Sequence, residues 1–109
     1  MKVTYYGHAC FGIEVGGSKL LFDPFIRGNE LAKDVDIDSL NPDFILLTHG
    51  HQDHVADALE IAQKSGATIV SNFEVVSWFQ NQGATKTHPM NHGGKWKFDF
   101  GTVKYVNAV

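Results

Sequence analysis

Residues 48 to 54 read Thr48-His49-Gly50-His51-Gln52-Asp53-His54, directly after the apolar run Phe44-Ile45-Leu46-Leu47. Folding alone does not call for three imidazoles and a carboxylate so close together. Histidine is the commonest metal ligand in proteins, and carboxylate is a frequent companion. His49 and His51 are two positions apart, so in an extended segment both point the same way and can grip one ion. Asp53 and His54 stand where the loop turns into a helix, from which their side chains can reach a second ion. A bound divalent ion lowers the pKa of water from about 15.7 towards 7, and two ions roughly 3.5–4 Å apart can share the resulting hydroxide. Nitrogen and oxygen ligands without thiolate suit zinc, manganese or iron. The expected cofactors are therefore two divalent metal ions. The expected chemistry is hydrolysis by metal-activated hydroxide of a small ester, lactone, amide or phosphoester.

The surrounding pattern places this segment at the end of a buried strand. Phe44 to Leu47 is apolar on both faces, as in a strand covered by layers on both sides. Val55, Ala58, Leu59 and Ala62 then give one apolar stripe, predicting a helix from near Asp53 that stops at Gly66. Ala67 to Ser71 is a second short buried strand. Asn72 caps a second helix through Trp78 and Phe79, closed by Gly83. Upstream, Val3, Tyr5, Phe11, Ile13 and Val15 predict one strand interrupted near Gly7-His8-Ala9. Gly16-Gly17 turns the chain into a strand from Lys19 to Phe22 that stops at Asp23-Pro24. Arg27 to Pro42 reads as a long surface loop. Thr85 to Met90 is a strand or loop, and Asn91-His92-Gly93-Gly94 is a turn. Trp96, Phe98 and Phe100 alternate as core positions of a further strand, and Val103 and Tyr105 begin its antiparallel partner. The expected order is ββ-loop-βα-βα-ββ.

Other residues invite chemistry less strongly. Asp34, Asp36 and Asp38 alternate like the start of a calcium loop. Ser39 and Ile45 stand where that loop needs Gly and Glu, so a solvated loop is expected. Cys10 has no base marked beside it and reads as a small packing residue. Nothing in the spacing of His88 or His92 demands a metal.

Composition excludes several classes. The chain has 109 residues, the size of one domain, with 43% hydrophobic and 19% charged residues, enough apolar content for a core. A net charge of −3 argues against nucleic acid as partner. No apolar run approaches the roughly 18 residues of a membrane helix. The single cysteine and the absence of an apolar leader pattern make the cytoplasm the expected compartment. The last residues, Asn107-Ala108-Val109, fall inside a strand-like pattern, so the chain reads as the N-terminal part of a longer domain.

The motif Thr48-His49-Gly50-His51-Gln52-Asp53-His54 resembles the HxHxDH signature of the metallo-β-lactamase superfamily. Gly7-His8-Ala9-Cys10-Phe11 and Leu20-Leu21-Phe22-Asp23-Pro24-Phe25 resemble its branch of metal-dependent hydrolases related to ascorbate-6-phosphate lactonase. The resemblance implies an α/β fold, half of an αββα sandwich with a mixed sheet and two helices. It implies that His49 and His51 bind a first metal and Asp53 and His54 a second. Asp53 would also act on the attacking water. Asp23 would support the motif loop from behind, and His8 would stand near the site mouth. Family members have about twice this length and take further ligands from their second half. A small-molecule substrate and a missing C-terminal half, or self-association, are therefore the implied partners. The alternative is a non-catalytic metal-binding half-domain.

Overall fold

The structure is a computed structural model that describes residues 1–107. The first strand-like stretch is two strands, β1 (Lys2–Gly7) and β2 (Cys10–Val15), paired antiparallel. The expectation of one interrupted strand is corrected here. Gly7 adopts φ 108° and His8 φ 54°, so the chain reverses instead of continuing. Only glycine fits at residue 7, because a Cβ there would also stand 2.6 Å from the Leu31 Cβ. β3 (Ser18–Phe22) pairs antiparallel with β2. It then pairs in parallel with β4 (Phe44–Leu46), and β5 (Thr68–Ser71) and β6 (Thr87–Pro89) extend the parallel half. The result is a six-stranded mixed sheet in sequential order. β7 (Lys95–Phe98) and β8 (Gly101–Lys104) form a separate antiparallel ribbon. The strand-like pattern after Lys104 includes Ala108 and Val109, which lie outside the described residues.

Strand alternation sends side chains to two apolar layers. Leu21, Ile45, Leu47 and Ile69 face α2 (Ala58–Ser65) and α3 (Phe73–Asn81), meeting Ala58, Ile61, Ala62 and Phe79. Leu20, Leu46 and Val70 face the opposite way and are covered by Phe98, Phe100, Val103 and Tyr105 around the ribbon. Phe44 meets both Phe98 and Phe100 edge-on there. Trp96 does not join that core as expected. It is 55% exposed, with its ring resting on His88 of the edge strand β6, and among the described residues no strand lies beyond β6 to cover it. His88 contacts Trp96 and Phe98.

The helix expected from Asp53 is broken. α1 (Gln52–Val55) is one turn long, and α2 starts at Ala58. Asp57 stands at the break, and its side chain does not cap α2. Its buried carboxylate instead accepts hydrogen bonds from the backbone N–H groups of Ile26 and Arg27, at 2.7 and 3.0 Å. Long-range demand for that carboxylate overrides local helix propensity. The long loop after β3 is likewise organised rather than irregular. Asn29 caps a 3-10 turn at Glu30–Ala32 and Asp36 caps one at Ile37–Ser39. Asp36 therefore serves as a cap, and Asp38 pairs with Lys64.

Candidate metal centre

The parallel strands bring the histidine motif to one end of the sheet. Phe11, Phe22, Leu46 and Val70 lie in one row across β2 to β5. Just past that row come the β1–β2 turn with His8, then Asp23, then Thr48 and the motif. A crevice at the C-terminal ends of strands is where open α/β sheets place their sites.

Asp23 is the hinge of the arrangement. It is 2% exposed, yet its carboxylate is surrounded by donors. Thr48 donates to it twice, from its backbone N–H at 2.8 Å and from Oγ1 at 2.7 Å. His54 Nδ1 lies 2.9 Å from Asp23 Oδ2. Among the described residues, Asp23 and His8 are the non-glycine residues with positive φ, 43° and 54°. Such backbone costs on the order of 1–3 kcal/mol per residue and persists where the surroundings enforce it, often at functional sites.

Proton bookkeeping fixes the imidazoles. The Thr48 hydroxyl has one proton, and it goes to Asp23. His49 Nδ1, 2.8 Å from Thr48 Oγ1, must then donate to that oxygen. His54 Nδ1 in turn donates to the Asp23 carboxylate. In its neutral form each ring then carries its proton on Nδ1 and offers Nε2 as the lone pair, the form in which imidazole binds metal. His49 is also held below the usual histidine pKa, first by burial and then by the neighbouring His54 and His51 rings, which favours the neutral ring. The His49 ring centre lies 4.1 Å from that of His54 and 4.7 Å from that of His51.

Among the described residues, two groups of three bring ligand atoms within 4.8 Å of one another: Asp23, His49 and His54, and His8, Asp53 and His54. His8 Nε2 is 3.1 Å from Asp53 Oδ2, and His54 Nε2 is 3.7 Å from Asp53 Oδ1. His51 belongs to neither group but lies against His49 at the exposed side. His88 and His92 belong to neither. The donors are imidazole and carboxylate, with pre-set tautomers and no thiolate, and this set fits a zinc-, manganese- or iron-type divalent ion.

Sequence reasoning gave no role to several residues that build this end of the sheet. Thr48 relays between Asp23 and His49. Phe25 supports the His8 ring edge-on at 5.8 Å, and Tyr5 donates its hydroxyl to the His8 carbonyl. Their signal was confined to flanking positions of the motifs. Cys10 is fully buried, and burial pushes its thiol up to about 12, so it packs and stays protonated.

Comparison with known proteins gives the family. A family model described as the beta-lactamase superfamily domain matches residues 2–108. The chain belongs to the metallo-β-lactamase superfamily. It is 57% identical over 109 residues to a UPF0173 metal-dependent hydrolase of Flavobacterium johnsoniae, and 54% identical to one of Methylacidiphilum infernorum. In each case all of this chain aligns with 48% of the relative, so the chain spans about half the length of the curated relatives it matches. Among solved structures, Igni18, a metallo hydrolase from Ignicoccus hospitalis, superposes with TM-score 0.76 at 31% identity, over 89% of this chain and 42% of that one. CmlA, a diiron β-hydroxylase from Streptomyces venezuelae, superposes with TM-score 0.64 at 18% identity, over 86% of this chain and 21% of that one, and shows the fold alone. One fold thus carries a hydrolase and a hydroxylase, so substrate must be argued from the site. Among the described residues, no helix is long and apolar enough to cross a membrane.

Proposed function

We propose that the chain is the N-terminal half of a dinuclear metal-dependent hydrolase acting on a small ester, lactone, amide or phosphoester. The observation that carries this reading is the Asp23–Thr48–His49 and Asp23–His54 hydrogen-bond set, which engages Nδ1 of both rings at the C-terminal end of the sheet and leaves Nε2 as the nitrogen available to a metal. His49 and His51 would hold one divalent ion, and Asp53 and His54 would hold the other. Zinc, manganese and iron all suit these donors. When bound, the ions supply acidified water and a polarised scissile bond. Asp23 fixes the rings from behind. Asp53, with half its side chain exposed, takes the proton of the attacking water at a carboxylate oxygen, and His8 Nε2 orients that carboxylate. The full-length protein should hydrolyse members of an ester, lactone, amide and phosphoester panel. That hydrolysis should vanish with chelator and in His54→Ala. Turnover untouched by both treatments overturns the reading.

A second reading is a non-catalytic metal-binding half-domain that associates with a copy of itself or with a separate C-terminal chain. It is favoured by Val3, Tyr5 and Phe11, which expose 55%, 58% and 38% of their surface on one face of β1 and β2. A clean monomer in sedimentation of residues 1–109 argues against self-association.

A further inference from the structure

The peptide that joins β4 to the histidine motif is clamped from both sides. On one side the Thr48 N–H donates to Asp23. On the other, the Leu47 carbonyl of the same peptide accepts two hydroxyls, Tyr105 Oη at 2.8 Å and Ser71 Oγ at 3.0 Å. Here β4 and β5 part: the Leu47 N–H still reaches the Val70 carbonyl, but sheet pairing ends and leaves the Leu47 carbonyl to side chains. Tyr105 Oη also lies 3.0 Å from the Val70 carbonyl. Tyr105 comes from the end of the ribbon, where its backbone bonds to Gly93 and Gly94. Burial, followed by the charge of Asp23, keeps its hydroxyl protonated and so a donor.

We propose that Tyr105 is a positioning residue for the metal centre, orienting the Leu47–Thr48 peptide from which His49 and the Asp23 hydrogen bonds depart. Its ring already packs in the apolar layer. The hydroxyl adds direction rather than burial. Removing it leaves the Leu47 carbonyl to Ser71 alone and frees the peptide to rotate, which tilts Thr48 Oγ1 away from His49 and Asp23. Groups behind metal ligands typically alter metal affinity by 10–100-fold. Tyr105 stands one bond network further back, so about a tenfold effect is expected.

The inference rests on the metal-centre reading, and one titration separates the two. Cobalt(II) is added to the metal-free full-length protein, and the visible absorption of bound cobalt is followed. Tyr105→Phe should bind about tenfold more weakly with a shifted absorption band. Ser71→Ala, which strips the second hydroxyl from the same carbonyl, should move both readouts the same way. Val103→Ala, which loosens the same ribbon without touching the hydroxyl, should lower the melting temperature and leave the cobalt affinity and band unchanged. Wild-type affinity and spectrum in both hydroxyl variants overturn the role of Tyr105 and leave the metal centre standing. No cobalt binding by the wild type overturns both.

Discussion

Asp23 Oδ2 and His54 Nδ1 lie 2.9 Å apart although 31 residues separate them in sequence. Asp23 also receives both Thr48 donors, so a single buried carboxylate aligns two imidazoles of the motif. Asp23→Asn keeps the shape but gives up one acceptor oxygen and turns an amide N–H₂ towards groups that are themselves donors. The expectation is a folded protein with zinc affinity 10–100-fold weaker, measured by competition with a chromophoric chelator.

Asp57 has a structural part of similar weight. Its carboxylate is 5% exposed and accepts from the Ile26 and Arg27 N–H groups, tying the segment after β3 to the start of α2. Asp57→Ala takes the acceptor from the buried Ile26 N–H and the half-buried Arg27 N–H. A loss of about 3 kcal/mol in chemical denaturation is expected, with no change in the pH dependence of metal binding beyond that of lower stability.

The surface pair of Glu60 with Arg27 makes stability depend on acid. The Arg27 guanidinium, followed by the Lys64 ammonium, holds the Glu60 carboxyl down to about 2, from 4.5. A depressed carboxyl stabilises the fold fully above its unfolded value and loses that contribution as pH falls towards the folded one. The melting-temperature gap between wild type and Glu60→Gln should therefore be constant above pH 4.5 and close between about 4.5 and 2. Salt should shrink it, because the network is at the surface.

How much of this was legible in the sequence follows from the range of each signal. The motif, the buried strand before it, Asp23 at the end of β3 and the cap of α3 at Asn72 are local patterns, and the structure places strand, turn and helix where they point. The break before α2 was not legible, because Asp57 is recruited by backbone groups 30 residues upstream. The two strands at the N-terminus read as one because alternation continues across Gly7-His8-Ala9, and only the positive φ angles reveal the reversal. Tyr105 gave no sign of its task, since its partners Leu47 and Val70 are 58 and 35 residues away. Trp96 kept the period of a core strand, but among the described residues the sheet ends at β6 and leaves it exposed.

Diffraction data collected at the zinc absorption edge from crystals of the full-length protein address the central claim most directly. The account predicts anomalous density at about 2.0–2.2 Å from the side chains of His49, His51, Asp53 and His54. Well-ordered side chains at these positions with no anomalous density among them would contradict it.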